Sequence, residues 1–275
     1  MDLPLGVATA AGAALSFGAA DFSGGVVARR VTPLSAALSV QVISGAGLAA
    51  VLVATAQPVS PFAVGTGLVA GLAVALGLLA LYEALSVGAM GVVAVLTGAA
   101  ASLLTLGYDI LVAGQAPSII QVGGMACAIA GAALSSQLGT ISLRVAALSM
   151  IAGCAFGGSF IAFNLAAGES PITILFAARL AAIVLLGAMW AMQARRRLTL
   201  HPAIAVAGVL DTSANLLMLV AVTLIPVSLA TAISSANPPI IVMFLARFFL
   251  GEGLPKSAYL SVGLACVGIA LMFLG

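Results

Sequence analysis

A carboxylate, an amide and a guanidinium stand deep inside apolar runs of this chain. Groups of that kind rarely sit there without a task. Asp211 falls about nine residues into the run 203–224, and Asn215 follows one turn on along the same helical face. At 1.5 Å of rise per residue, Asp211 lies roughly 13 Å from the edge of that run. A carboxylate beside an amide at this depth suits a cation or a proton; the structural alternative is a hydrogen bond to a neighbouring helix. Arg179 lies about seven residues into the run 172–193. It could hold a substrate carboxylate through two parallel hydrogen bonds, or it could pair with Asp211 as a structural link or a gate. Asp21 sits in the run 4–28 with Gly24 and Gly25 on the next turn. It either faces a close helix interface or partners Arg29 or Arg30 near the membrane edge.

Other polar residues gather in two places. Gly98, Ser102, Thr105 and Asp109 follow at i, i+4, i+7 and i+11. A polar stripe on a lipid-spanning helix should face a cavity. Further on, Thr231, Ser234, Ser235 and Asn237 precede Pro238-Pro239. Two consecutive prolines remove two backbone donors, and such a break is tolerated only where protein or a wet cavity satisfies the freed carbonyls. This is either a stretch of transport path or a kink for packing. Tyr82 and Tyr108 are the clearest aromatic residues near these polar positions, too few for a full cage around a quaternary ammonium but enough for one contact. Glu83, Arg247 and Asp109 lie within a turn of expected boundaries, where snorkelling to the interface accounts for them. Glu252 and Lys256 form an i,i+4 pair at a helix end. Phe156, Phe160 and Phe163 read as a packing stripe, and Cys127, Cys154 and Cys266 as small core residues.

The elements that must position these groups follow from composition. Only 6% of the 275 residues are charged and 63% are hydrophobic, and the mean hydropathy is +1.31. So few charges cannot cover a water-facing surface; most of the exterior must face lipid. With about 20 apolar residues per span, the chain divides at its charges, prolines and glycines into ten: 4–28, 34–56, 62–85, 91–113, 117–138, 144–166, 172–193, 203–224, 228–250 and 256–274. The first is read as a retained span, because it has no basic leader and is too long for a signal core. Connections are short, the longest polar interruption running from Arg195-Arg196-Arg197 to His201-Pro202. Gly and Ala recur through the spans, which favours close helix packing in lipid. They form no phosphate loop, since no Lys-Ser/Thr follows a glycine turn.

An internal repeat is visible at an offset near 138 residues. Phe22 through Pro33 to Gln41 aligns with Phe160 through Pro171 to Arg179. Gly114-Gln115-Ala-Pro aligns with Gly251-Glu252-Gly-Leu-Pro, and Gly124-Met-Ala-Cys127 with Gly263-Leu-Ala-Cys266. Residues 1–140 and 141–275 then hold five spans each. An odd number inverts the second half relative to the first, an arrangement that places a substrate site between the halves. The expected fold is an all-α membrane protein of ten transmembrane helices in two inverted five-helix repeats. Arg29, Arg30, Arg144, Arg195, Arg196, Arg197 and Lys256 all follow odd-numbered spans, which puts those loops in the cytoplasm and both termini outside it.

Several functions are excluded. A net charge of +2 with no basic patch outside the spans does not suit nucleic acid. One histidine, His201, and no clustered acids leave no metal site, no cofactor site and no lipid-modifying enzyme. No ring of repeated charges or filter-like segment suggests a channel.

The motifs resemble the EamA-type transporters of the drug/metabolite transporter superfamily. Gly18-Ala-Ala-Asp21-Phe22-Ser-Gly24-Gly25 with Arg29-Arg30 is similar to the first-span signature of one bacterial subgroup. Leu81-Tyr82-Glu83-Ala84-Leu85-Ser-Val-Gly88-Ala-Met90-Gly91-Val-Val-Ala94 resembles the junction of the third and fourth spans. Leu210-Asp211-Thr-Ser-Ala-Asn215 resembles the eighth span, and Pro238-Pro239 with Gly251-Glu252 the end of the ninth. Arg179 lies close to the family's arginine. Glu83 stands where these proteins usually carry a basic residue, Ala101 where proline is expected, and Gln115 where glutamate is. Many members keep their termini in the cytoplasm, against the charge count. The resemblance implies a secondary transporter in a bacterial-type inner or plasma membrane. It would move a small metabolite (amino acid, amine or drug-like solute) by alternating access, in the export direction, with proton coupling open to it through Asp211 or Asp21. The implied site is Asp211, Asn215, Arg179, Asp21, Tyr82, Ser102, Thr105, Ser235, Asn237 and Pro238. A lipid flippase of the same fold is the alternative, and the assembly is a monomer or a homodimer.

Overall fold

The computed structural model describes residues 2–88, 90–115, 117–135, 142–192 and 201–236, with scattered positions between 241 and 274. Asn237, Pro238, Pro239, Glu252, Lys256, Cys266 and Arg195 to Arg197 lie outside the described residues. Nine helices are defined among them: α1 (Leu3–Ala28), α2 (Pro33–Thr55), α3 (Pro61–Val87), α4 (Met90–Leu111), α5 (Ile119–Ser135), α6 (Leu143–Leu165), α7 (Pro171–Ala191), α8 (Pro202–Leu224) and α9 (Val227–Ala236). Scattered helical residues continue beyond α9, Phe244, Leu245 and Arg247 to Phe249 among them, and the described residues contain no strand. Seven of the helices, α1 to α4 and α6 to α8, are long and apolar enough to cross a membrane.

Helix starts fall one residue earlier than the apolar runs suggest, for a local reason. Thr32-Pro33, Ser60-Pro61 and Ser170-Pro171 each put a hydroxyl at the N-cap and a proline at the first helical position. Proline suits that position because its missing N–H would have no helical partner there. The hydroxyl accepts from an orphan N–H of the first turn, as at Ala63 N to Ser60 Oγ, 3.0 Å. His201-Pro202 does the same for α8, with Nδ1 accepting from Ala203 N at 3.2 Å.

α1 runs antiparallel along α8, α3 packs on both α6 and α7, α4 on α6, and α2 on α7. Glycine makes the closest crossings possible. A Cβ on Gly71 would land on the Ala178 backbone, and one on Gly153 on the Thr97 carbonyl. In lipid, where apolar side chains gain little by meeting each other, such backbone approach is a main source of helix association. Two buried clusters result. One gathers the first half of α1 with Phe163, Leu175, Met218 and Leu229. The other gathers the second half of α1 with Tyr82, Leu85, Leu186 and Ile204. Phe156 packs against both.

Polar bonds tie the helix ends. At one end, Asn164 Nδ2 donates to Val222 O at 2.8 Å, Ser60 Oγ to Glu169 Oε2 at 2.7 Å, and Thr173 Oγ1 to Pro58 O at 2.8 Å. Asp109 belongs to this group. It is 1% exposed rather than snorkelling, and its Oδ2 accepts from Ser228 N at 2.7 Å at the start of α9. At the opposite end, Arg144 Nη2 meets Glu83 Oε1 at 2.5 Å on the surface. Arg29 donates to Leu85 O and Gly88 O at 3.3 and 3.4 Å, a cation on the C-terminal carbonyls of α3.

Candidate functional site

Between the two clusters lies a cavity with about 70 Å³ free for water-sized molecules. Its walls come from α1, α3, α4, α6, α8 and α9. Phe17, Phe156 and Phe160 supply aromatic faces, the first and last with ring centroids 6.1 Å apart. On α4, the lining residues Ala94, Thr97, Gly98 and Ala101 recur at i, i+3, i+4 and i+7, one side of a helix. Two carboxylates reach the space, Asp21 from α1 and Asp211 from α8.

The carboxylates differ in their partners. Asp211 Oδ2 lies 2.8 Å from Arg179 Nη2, in an ion pair whose side chains are 14% and 1% exposed. Asn215 Nδ2 donates to Asp211 Oδ1 at 3.1 Å and to the Asp211 carbonyl at 2.8 Å. Arg179 Nη1 donates in turn to Gln41 Oε1 on α2 at 2.9 Å. A chain Asn215–Asp211–Arg179–Gln41 therefore links α8, α7 and α2. A buried arginine needs such a chain, because an unpaired charge in a low-dielectric interior costs several kcal/mol. Asp21 has no hydrogen bond or ion pair among the described residues, and it interacts electrostatically with Asp211 across the cavity. Neither Arg29 nor Arg30 partners it. Asp21 is thus the cavity's free anion, and with both carboxylates ionised and Arg179 protonated the group carries one net negative charge.

Residues 143–274 match the model of the EamA-like transporter family. The match covers the second half of the chain. The match supports a membrane transporter of the drug/metabolite type, and members of the family are transporters rather than enzymes. A solved crystal structure is similar over 96% of this chain and 97% of its own, with a TM-score of 0.76 at 14% identity; that likeness speaks for the fold alone. No curated protein matches the sequence.

The matched half contributes Asp211, Asn215, Ser234 and Ser235 to the cavity, while Asp21 comes from the first half. Arg179 stands behind Asp211 and does not line the space. Tyr82, 2% exposed, lies behind α1, its hydroxyl filling the space a Cβ on Gly24 would need. Ser102 and Thr105 are buried but outside the lining; Thr105 Oγ1 donates to Ala101 O at 3.0 Å within its own helix. The polar stripe on α4 thus divides. Gly98 faces the cavity, Asp109 reaches α9, and the hydroxyls between them are packed inside protein. The Asn237 and Pro238 positions lie outside the described residues. Gln41, Phe17 and Thr97 were not among the residues the sequence marked as a site. Gln41 carried one signal, its alignment with Arg179 in the repeat.

Proposed function

We propose that the protein is a secondary transporter that moves a small metabolite carrying a basic nitrogen, an amine or an amino acid, by alternating access in the export direction. The observation that carries this reading is the central cavity, where Asp21 has no partner among the described residues and stands beside the ion-paired Asp211. An ammonium brought into this space gains a carboxylate partner and aromatic faces, whereas an anion meets net negative charge. Proton coupling is the second part of the reading: Asp21 takes a proton when the amine leaves and releases it when the amine binds. The ion pair leaves Asp211 a lesser share of that exchange and a larger one in holding α7 to α8. The membrane is of the bacterial inner or plasma type.

The reading rests on two inverted five-helix units, 1–140 and 141–275. Support comes from pairings that recur when the halves are exchanged. α1 on α8 and α3 on α6 are the same contact under that exchange, and so are α3 on α7 and α2 on α8. The Arg179–Gln41 bond joins residues 138 positions apart, the offset of the repeat itself.

The test is a panel of amines and amino acids with purified protein in proteoliposomes, with and without an imposed pH gradient. Uptake of at least one amine should rise with the gradient in the wild type and disappear in Asp21→Asn. If Asp21→Asn transports like wild type, or if anionic metabolites are the only substrates, the reading is wrong.

A further inference from the structure

A second space opens on the lipid side of the helices, away from the central cavity. It is a groove of about 460 Å³ between α1, α8 and the helical residues Leu245 and Phe249. Its walls are apolar, with Phe22, Val26, Val206, Leu210 and Phe249 among them. Among the described residues Arg30 is the one charged residue that lines it.

The two neighbouring arginines have different fates. Arg29 is turned onto the carbonyls of Leu85 and Gly88 at the end of α3. Arg30 is exposed and has no side-chain partner among the described residues. α1 ends and α8 begins at the same edge of the bundle, because Gly6 and Gly12 near the start of α1 meet Leu224 and Leu217 near the end of α8. The mouth of the groove is therefore framed by Arg30 and by the positive N-terminal end of α8, whose second residue, Ala203, lines it. Arg29 and Arg144 lie at the same edge, the one on Leu85 O and the other on Glu83, both near the end of α3.

We infer that this groove is a binding site for one anionic phospholipid, its acyl chain between α1 and α8 and its phosphate on Arg30. Charge complementarity selects the occupant. A zwitterionic lipid also brings a phosphate to Arg30, but its own ammonium competes for that phosphate and cancels the net attraction, whereas a second protein copy or a hydrophobic helix would have to bury Arg30 without a counter-ion. The molecule supplies its own comparison. Another lipid-side groove of about 230 Å³, between α2, α7 and α8, is lined by Ser44, Thr212, Ser213, glycines and apolar residues, with no charge among the described residues. It offers nothing to a headgroup. The inference is independent of which solute the central cavity carries.

The experiment is native mass spectrometry of the purified full chain titrated with phosphatidylglycerol or phosphatidylcholine of identical acyl chains. One phosphatidylglycerol should be retained about fivefold more strongly than phosphatidylcholine, the preference that a single basic residue gives at a membrane surface. Arg30→Gln should bring the two lipids level, while Arg29→Gln keeps the preference. Val206→Trp, which fills the groove, should abolish retention of that lipid in a chain whose Arg30 is intact. Equal retention of the two lipids by the wild type, a preference unchanged in Arg30→Gln, or a dimer that forms through this face and excludes lipid would each overturn the assignment.

Discussion

Arg179 donates from Nη1 to Gln41 Oε1 at 2.9 Å, and the two residues hold the same place in the two halves of the sequence. If the halves are the inverted repeats proposed above, a contact between repeat-equivalent residues lies on the axis that relates them. If the halves exchange conformations during transport, this distance is carried into itself, whereas contacts off the axis are exchanged for different ones. The bond is thus suited to act as a fixed pivot, with the Asp211 pair hung from its second-half member.

The first prediction concerns that pivot. Arg179→Ala should cost about 3–5 kcal/mol of stability, because it leaves Asp211 without its cation and Gln41 Oε1 without its donor. Replacing both charges, as Arg179→Met with Asp211→Leu, should recover most of that loss, since an apolar pair of similar volume has no desolvation penalty. Thermal unfolding in detergent measures the cycle. A single Arg179→Ala variant with unchanged melting temperature would remove the pivot from the argument.

Asp21→Asn should behave in the opposite way. The carboxylate has no ion pair among the described residues and lies partly open to the cavity, so the amide should leave the melting temperature unchanged or slightly higher. Amine transport driven by a pH gradient should nevertheless fall to background, because the amide neither pairs with an ammonium nor exchanges a proton. A loss of stability equal to that of Arg179→Ala would mark Asp21 as structural.

How much of this could be read from the sequence depends on the kind of interaction. The helices were legible because lipid imposes one length and one composition on every span. Their starts shifted by a residue or two, at α2, α3 and α7 because a Ser/Thr-Pro pair put the first turn on the proline. The Arg179–Asp211 pair was legible as one of two alternatives, since two opposite charges at similar depth have few other places to go. Asp109 was misread, because depth along a helix does not reveal which neighbour's N-terminus comes within reach. Ser102 and Thr105 shared a stripe with Gly98, yet a hydroxyl can satisfy itself on its own helix, as Thr105 does, and then it needs no water. Gln41 was visible in the repeat alignment but had no charge to draw attention.

Small-residue crossings give a third prediction. Gly71→Val should disrupt the α3–α7 contact, because even a Cβ there meets the Ala178 backbone, which cannot move aside as a flexible side chain can. Gly47→Val should be nearly neutral, since a Cβ on Gly47 has open space around it. The gap between the two should be several kcal/mol, in the range of an overpacked core or beyond, and urea or thermal unfolding reads it. Equal effects would mean that the α3–α7 approach is not a close one.

The last prediction separates charge from hydrogen bonding at the start of α9. Asp109 is buried on α4, and its carboxylate accepts from the Ser228 N–H one residue into α9. Two effects act together there: an orphan N–H of the first turn is satisfied, and a negative charge faces the positive end of the helix. Asp109→Asn keeps an acceptor of the same shape and removes the charge, so it should cost only the electrostatic part, about 0.3–2 kcal/mol. Asp109→Ala also removes the acceptor and leaves a buried N–H unpaired, adding about 1–3 kcal/mol. The melting temperatures should therefore fall in the order wild type, Asn, Ala. Because α9 also carries Ser234 and Ser235 into the central cavity, substrate affinity should weaken in the same order. An alanine variant as stable as the asparagine one would show that water or another residue caps α9, and that Asp109 contributes charge alone.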